Sequence, residues 1–304
     1  MIGDVQPDFT FRLQAGSSQP PSVAGGGTAA NVSVGLARLG VPVAFVGSVG
    51  RDSFGEMVVA ELAAEGVEVS GAVAIAGVPT PLVFALLPEG GEASLFRWPE
   101  DRGADWALRP EHVDLARICS ARWLHASGIC LRHSPARETI LATMAGAKAA
   151  GVTVSFDLNF RREQRTDDPA LQAAMAEAIS HSSIVLGHAE DELTLFAGAS
   201  SVDQAMQALA GGVRTVVARM GGRGVKVRAA SENWGCPAFA IAVVNSVGAG
   251  DAFNAGFIAA SLGGNDLKTA VRWGQAVAAL KLQKGGARAL PSRAEVEAFL
   301  AMNP

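Results

Sequence analysis

Short apolar runs rich in β-branched residues recur along the chain at 41–47, 122–126, 152–156, 184–186, 215–218 and 241–244. Their length and bounding turn residues read as strands. Helical patterns fill the intervals. Ser53 with Glu56 reads as a capping box for a helix over 54–65, which Gly66 stops. Ser134-Pro135 opens another helix, closed by Gly151, and Ser292 with Glu295 caps the last one. The run 252–262 is apolar on nearly every face, so its helix must be buried. This alternation predicts an α/β fold, a mostly parallel doubly wound sheet flanked by helices.

Two segments break the pattern. Residues 8–13 alternate polar and apolar, and 80–98 read as a hairpin of 82–87 and 93–98 with Gly90-Gly91 at its turn. Half-buried antiparallel strands inside a parallel chain predict a small sheet over one edge, with Gly25-Gly26-Gly27 as a hinge. Either a packed surface hairpin or a lid fits that pattern. Phe9, Phe11, Phe84 and Phe96 would give a closing lid an apolar seam, or would pair two subunits as a homodimer through their lids. Only Met1-Ile2 precede Gly3, so the first strand is either short or begins upstream.

At 304 residues, 49% hydrophobic and 18% charged, the chain can bury a large core, and we read 1–304 as one α/β domain. A net charge of −4 argues against nucleic acid as a partner. Cys119, Cys130 and Cys236 form no C-x-x-C and read as buried thiols of a reducing compartment. With no apparent leader or spanning segment, a cytoplasmic location without membrane association is expected.

The chemistry concentrates in Asn245-Ser246-Val247-Gly248-Ala249-Gly250-Asp251, directly before the buried helix. Bare amides at a helix N-terminus form an anion site, and a carboxylate in that turn, Asp251, suits a base. The plainer alternative is a Gly-rich turn with a dipole-neutralising carboxylate. The chain has neither G-x-x-x-x-G-K-[ST] nor a strand-to-helix G-x-G-x-x-G, which excludes a Walker-type loop and argues against a dinucleotide enzyme.

This segment resembles the D-T-x-G-A-G-D signature of the ribokinase-like (PfkB) carbohydrate kinases. Gly26-Gly27-Thr28-Ala29-Ala30-Asn31 and Gly47-Ser48-Val49-Gly50-Arg51-Asp52 resemble two further family segments, in the right order. The resemblance implies a ribokinase-like fold with a β-sheet lid, and ATP-dependent phosphorylation of a sugar's primary hydroxyl. Asp251 would be the catalytic base, with Gly248, Ala249 and Gly250 as the anion hole. Asp8, Gly26, Gly27 and Asn31 would bind sugar, joined by Arg97 and by Arg161 of Asp157-Leu158-Asn159-Phe160-Arg161, which looks like the family's D-x-N-x-R. Glu192 would support Mg²⁺ through water. Arg219, Gly221 and Gly224 would border ATP, and Gln275, with Gly274 and Ala278, an adenine slot. Asn245, Val247 and Gly286 match a monovalent-cation site, but Asn245 stands where the family usually has Asp. Losing that charge should weaken cation binding, so a smaller K⁺ dependence is expected. Ala189-Glu190-Asp191-Glu192-Leu193 resembles the S-D-E-E-L of fructokinase-type members. The alternatives are a 2-keto-3-deoxygluconate kinase and a catalytically weak paralogue that binds sugar or nucleotide.

Overall fold

The computed structural model describes residues 1–13, 20–88, 94–160, 168–230 and 232–303. The central layer is a six-stranded sheet in the order β12-β11-β10-β9-β8-β7. Strands β7 (Trp123–Ser127), β8 (Thr153–Asp157), β9 (Ile184–His188) and β10 (Thr215–Arg219) run parallel. Strands β11 (Val225–Ala229) and β12 (Glu232–Cys236) extend it antiparallel. A parallel pair, β3 (Ala44–Gly50) and β4 (Glu68–Ile75), lies beyond β7.

Residues 1–3 join the two sheets. Ile2 N donates to His125 O at 3.1 Å, Val46 N to Met1 O at 2.9 Å, and Gly3 N to Val46 O at 3.0 Å. Ile2 forms an isolated parallel bridge with Val46 of β3 and bonds His125 of β7 on its other side.

Two cores sandwich this layer. Helices α3 (Leu115–Cys119), α4 (Ala136–Ala149), α5 (Pro169–His181), α6 (Leu195–Ala197) and α7 (Val202–Ala210) pack on one face, around Met144, Phe156 and Met175. Helices α1 (Thr28–Arg38), α2 (Ser53–Ala64), α8 (Ala249–Leu262), α9 (Leu267–Leu282) and α10 (Arg293–Met302) cover the other, around Phe45, Phe253 and Phe257. Helix α8 buries every residue from Ala252 to Ala260, as its all-round apolar sequence requires. It lies close against α9 because Gly256 and Gly274 meet at the contact with no side chain. A Cβ on Gly256 would meet Trp273 O at 2.8 Å, and one on Gly274 would meet Phe253 O at 2.9 Å.

The second sheet runs β2-β1-β5-β6 from β1 (Gln6–Leu13), β2 (Ser22–Gly26), β5 (Leu82–Pro88) and β6 (Ser94–Trp98). It departs from the expected antiparallel hairpin set, since β1 pairs β5 in parallel and β2 is an additional strand. Gly25 and Gly26 belong to β2, which leaves Gly27, with φ 96°, as the joint before α1. The Gly90-Gly91 turn lies outside the described residues. The phenylalanines share the face turned from Asp8 and Thr10. Phe9 stacks on Phe84 at 5.3 Å and meets Phe54 of α2 edge-on at 6.0 Å.

Two local expectations need correction. Residues 241–244 form no strand: the segment is held by Val244 N donating to Leu282 O at 2.8 Å, with Val243 and Val244 exposed. Helix α2 is capped by Asp52 rather than Ser53, because the Asp52 carboxylate accepts from Gly55 N at 2.8 Å while also binding Thr80. The Ser292–Glu295 box forms as expected. Among the described residues no helix is long and apolar enough to cross a membrane.

Candidate active site

The carboxyl ends of β8, β9 and β10, the first turn of α8 and the inner face of the small sheet enclose a cavity of about 550 Å³. Open α/β sheets bind ligands at that end of their strands. A larger groove of about 900 Å³ lies at the opposite end, around Val43, Glu68 and Trp123. It lacks a catalytic constellation of acid, base and bare helix amides, so the smaller cavity is the candidate site.

Its floor is the turn into α8. Gly248 is the N-cap residue with φ 80°, and a Cβ there would meet Ala287 O at 3.0 Å, so glycine is required twice over. In the first helical turn Ala249 N donates to Ser246 O at 3.2 Å, which leaves the amides of Gly250 and Asp251 without an intrahelical acceptor, both residues lining the cavity. Asp251 stands in this turn. Desolvation pushes its carboxyl up to about 8, with the charges of Asp157 and Asp4 adding to the rise and the hydrogen bond from Asn31 opposing it. Asn31 Nδ2 donates to Asp251 Oδ2 at 2.8 Å, across 220 residues of sequence.

The wall above is built from β1 and α1. Asp8 Oδ1 is buried without a hydrogen-bond partner, and desolvation pushes this carboxyl up to about 7. Gly26 makes room for it, since a Cβ there would collide with the Asp8 carboxylate. Helix α1 has no side-chain cap of its own. Asp4 substitutes, accepting from Thr28 N at 3.1 Å, Thr28 Oγ1 at 2.8 Å and Ala29 N at 3.2 Å. Arg288 joins the walls, donating to Asn31 Oδ1 at 3.2 Å, Gly26 O at 2.9 Å and Glu61 Oε2 at 3.2 Å. Asn31 is thereby oriented from both ends.

Arg219, at the end of β10, grips Asp157 bidentately at 2.8 and 2.9 Å and reaches Gly250 O at 3.2 Å and Asn254 Oδ1 at 3.0 Å. Its guanidinium thus ties the strand ends to α8, and what it can offer a ligand is only the edge facing the cavity. Glu192 lies 3.7 Å from Arg219 and accepts from His188 N at 2.8 Å; burial, then the Asp157 charge, push it up to about 7. Arg97 lines the far wall, paired with Asp105 at 2.8 Å and stacked over Trp106 at 4.3 Å.

The structure therefore gathers Asp8, Gly27, Asn31, Arg97, Glu192, Arg219, Asn245, Val247, Gly248, Ala249, Gly250, Asp251 and Gly286 around one cavity, with Gly26 behind Asp8. Gly221, Gly224 and Gln275 lie outside it. Gly224 has φ 97°, and a Cβ there would collide with Cys236 O, a packing demand of the β10–β11 turn. The Gln275 amide donates to Cys236 O at 3.2 Å and Pro237 O at 3.1 Å. Arg161 lies outside the described residues. Reading the sequence missed Asp4, Asn254, Lys281 and Arg288. Asp4 lies close to the family segments in sequence but belongs to none of them, and the others carry no local signal.

Among the described residues no cluster of His, Cys, Asp or Glu could hold a metal ion by itself. Asp157 is already saturated by Arg219 and Asn254, so a divalent ion here would depend on ligand phosphates, with Glu192 nearby.

Comparison with known proteins shows the family. The chain is 32% identical to the ATP-dependent ribose-1-phosphate kinase of Halopiger xanaduensis, over 98% of this chain and 96% of that one. It is 31% identical to the fructokinase of Vibrio alginolyticus, over 90% and 91%. A double mutant of Vibrio cholerae fructokinase, solved in a fructose-, ADP- and potassium-ion-bound form, superposes with a TM-score of 0.85 at 27% identity, covering 98% and 96%. Residues 16–294 match the pfkB family carbohydrate kinases, and the chain belongs to that family: it is a ribokinase-like carbohydrate kinase, a phosphotransferase with a sugar hydroxyl as acceptor.

Proposed function

We propose that this kinase transfers the γ-phosphoryl group of ATP to a primary hydroxyl of a neutral ketose, as the fructokinases do. Asp251 carries the reading. A desolvated carboxylate beside bare helix amides, bonded to Asn31 below the unpartnered oxygen of Asp8, holds a hydroxyl and a phosphoryl group in one place.

Asp8 accepts from adjacent sugar hydroxyls and Asn31 from a third, which directs the primary hydroxyl at Asp251. As the hydroxyl oxygen bonds to the γ-phosphorus and the bond to the β–γ bridging oxygen breaks, the proton passes to Asp251 and ADP leaves. The amides of Gly250 and Asp251 stabilise the negative charge on the phosphoryl oxygens. Mg²⁺, carried in on the nucleotide with Glu192 reached through water, would neutralise phosphate charge. The small sheet, jointed at Gly27, closes over the sugar and excludes water.

Arg97 favours the neutral substrate, because Asp105 already balances its charge. The unpartnered, buried Arg97 Nε favours a second reading, a sugar bearing a carboxylate or phosphate. A coupled ADP-release assay decides between them. Fastest turnover on a neutral ketose supports the proposal, whereas fastest turnover on a ketodeoxy acid or a sugar phosphate transfers it to the anionic class. Absence of turnover on the whole panel would leave a binding paralogue.

A further inference from the structure

Among the described residues, Lys281 is the fully buried lysine. It lies in the last turn of α9, 0% exposed, and its Nζ donates to the backbone carbonyl of Asn245 at 2.8 Å. The same helix end fixes the segment again, since Leu282 O accepts from Val244 N at 2.8 Å and Asn245 N at 3.2 Å. Asn245 Oδ1 accepts from Val247 N at 2.8 Å, closing the turn that leads to Gly248.

Residues 245–247 and 286 are where a monovalent cation would have to be held, and they do not fit one. The Asn245 carbonyl is occupied by the Lys281 ammonium, its side-chain oxygen is spent on Val247, and position 245 carries an amide in place of a charged carboxylate. A second cation beside a buried ammonium would meet like-charge repulsion in a low dielectric. Burying a lysine costs free energy unless its charge is used. Here the nearest use is behind the helix turn that faces phosphate; burial lowers the ammonium to about 8, and the Asp251 charge opposes that shift.

We propose that Lys281 is a tethered monovalent cation. Its ammonium holds the 245–251 turn in shape and adds positive potential behind it, so this kinase works without K⁺. The inference rests on reading that turn as the phosphate-binding element. Lys281 is a positioning residue, acting through the turn and touching neither substrate.

The test compares initial rates in KCl with rates in tetramethylammonium chloride at equal ionic strength, using the best sugar from the panel. Wild type should vary by less than about twofold. Lys281→Met should lose about tenfold in kcat/KM for ATP without K⁺, a fraction of what a directly contacting donor is worth. Asn245→Asp/Lys281→Met should regain most of it in K⁺, and K⁺ should raise the thermal midpoint of that double variant but not of wild type. Strong K⁺ activation of wild type overturns the proposal, whether or not any variant folds. So does a wild-type rate in Lys281→Met without K⁺. Lys281→Gln separates charge from hydrogen bonding, and a wild-type rate there also overturns it. Asp251→Asn is the control for the underlying reading: undiminished turnover in that variant would remove the turn's phosphate role, while K⁺ activation of wild type with a dead Asp251→Asn removes only the role of Lys281.

Discussion

Replacing Asp251 by Asn keeps the shape of the first turn of α8 and an oxygen to accept from Asn31, but removes the charge that, on the proposed reading, takes the proton. The expected loss in kcat is about 10²–10⁴, with nucleotide binding little changed. The raised pKa adds a sharper requirement. With the free carboxyl at about 8, only about a tenth of Asp251 is ionised at pH 7, about half at pH 8 and about nine-tenths at pH 9. Wild-type kcat/KM should therefore climb severalfold between pH 7 and 8, and above that the rise is cut back as the Lys281 ammonium, which burial lowers to about 8, loses its charge. The groups that shift it, after desolvation, are Asn31, Asp157, Asp4 and Arg219. Stability moves the other way. The folded value lies above the ordinary carboxyl value of 3.8, so the folded chain holds a proton that the unfolded chain releases. This contribution is complete below about pH 4 and is lost as pH rises through 8. Asp251→Asn should then melt higher than wild type at pH 9 and lose that advantage at pH 5. Steady-state rates by ADP release and melting curves over pH 5–9 measure both. A flat wild-type profile from pH 6 to 9, or a variant that keeps its turnover, refutes the reasoning.

Asp8→Asn should raise KM for the sugar about 10–100-fold while lowering kcat far less, because a hydroxyl acceptor is lost and the base is untouched; a kcat-only effect counts against a sugar-binding role. Arg219→Met leaves the buried Asp157 with Asn254 as its remaining partner and should cost about 3–5 kcal/mol, read as a fall of roughly 10 °C in the melting midpoint. An unchanged midpoint would mean that the pair is not a structural clamp. Gly248→Ala places a Cβ 3.0 Å from Ala287 O at a φ of 80°. About 1–3 kcal/mol of strain and weaker ADP binding in calorimetry should follow, and wild-type ADP affinity would show that the turn tolerates a side chain.

The parts legible in the sequence are those fixed by local chemistry. The parallel strands announce themselves as apolar runs, α8 as a helix with no polar face, and Ser292–Glu295 as a capping box. The run 241–244 misleads for the same reason. Its apolar residues look like a strand, yet no neighbouring strand is available and the end of α9 takes its hydrogen bond instead. Strand β2 escapes notice because Ser22 to Gly26 is Gly-rich, and its pairing to β1 is decided by tertiary contact. Asp52 and Ser53 are both good cap residues, and the choice falls to Asp52 because only it also reaches Thr80. Within the site, the motif residues stand out by their spacing. Arg288, Asn254 and Lys281 are ordinary surface-type residues in sequence, and only the fold buries them against Asn31, Asp157 and Asn245.

The bond between Asn31 and Asp251 also bears on how the chain is made. Asn31 emerges from the ribosome 220 residues before its partner, on a helix whose cap comes from Asp4. Arg288, which fixes Asn31 from the other side, arrives 257 residues after it. Domains fold during synthesis from the N-terminus onward. A nascent chain can thus assemble β3, β4 and much of the central sheet, yet it has no assembled reaction centre until the last helices are translated. On the proposed reading, phosphorylation waits for the segment from α8 onward, and a chain lacking it has neither the floor nor the brace of the cavity.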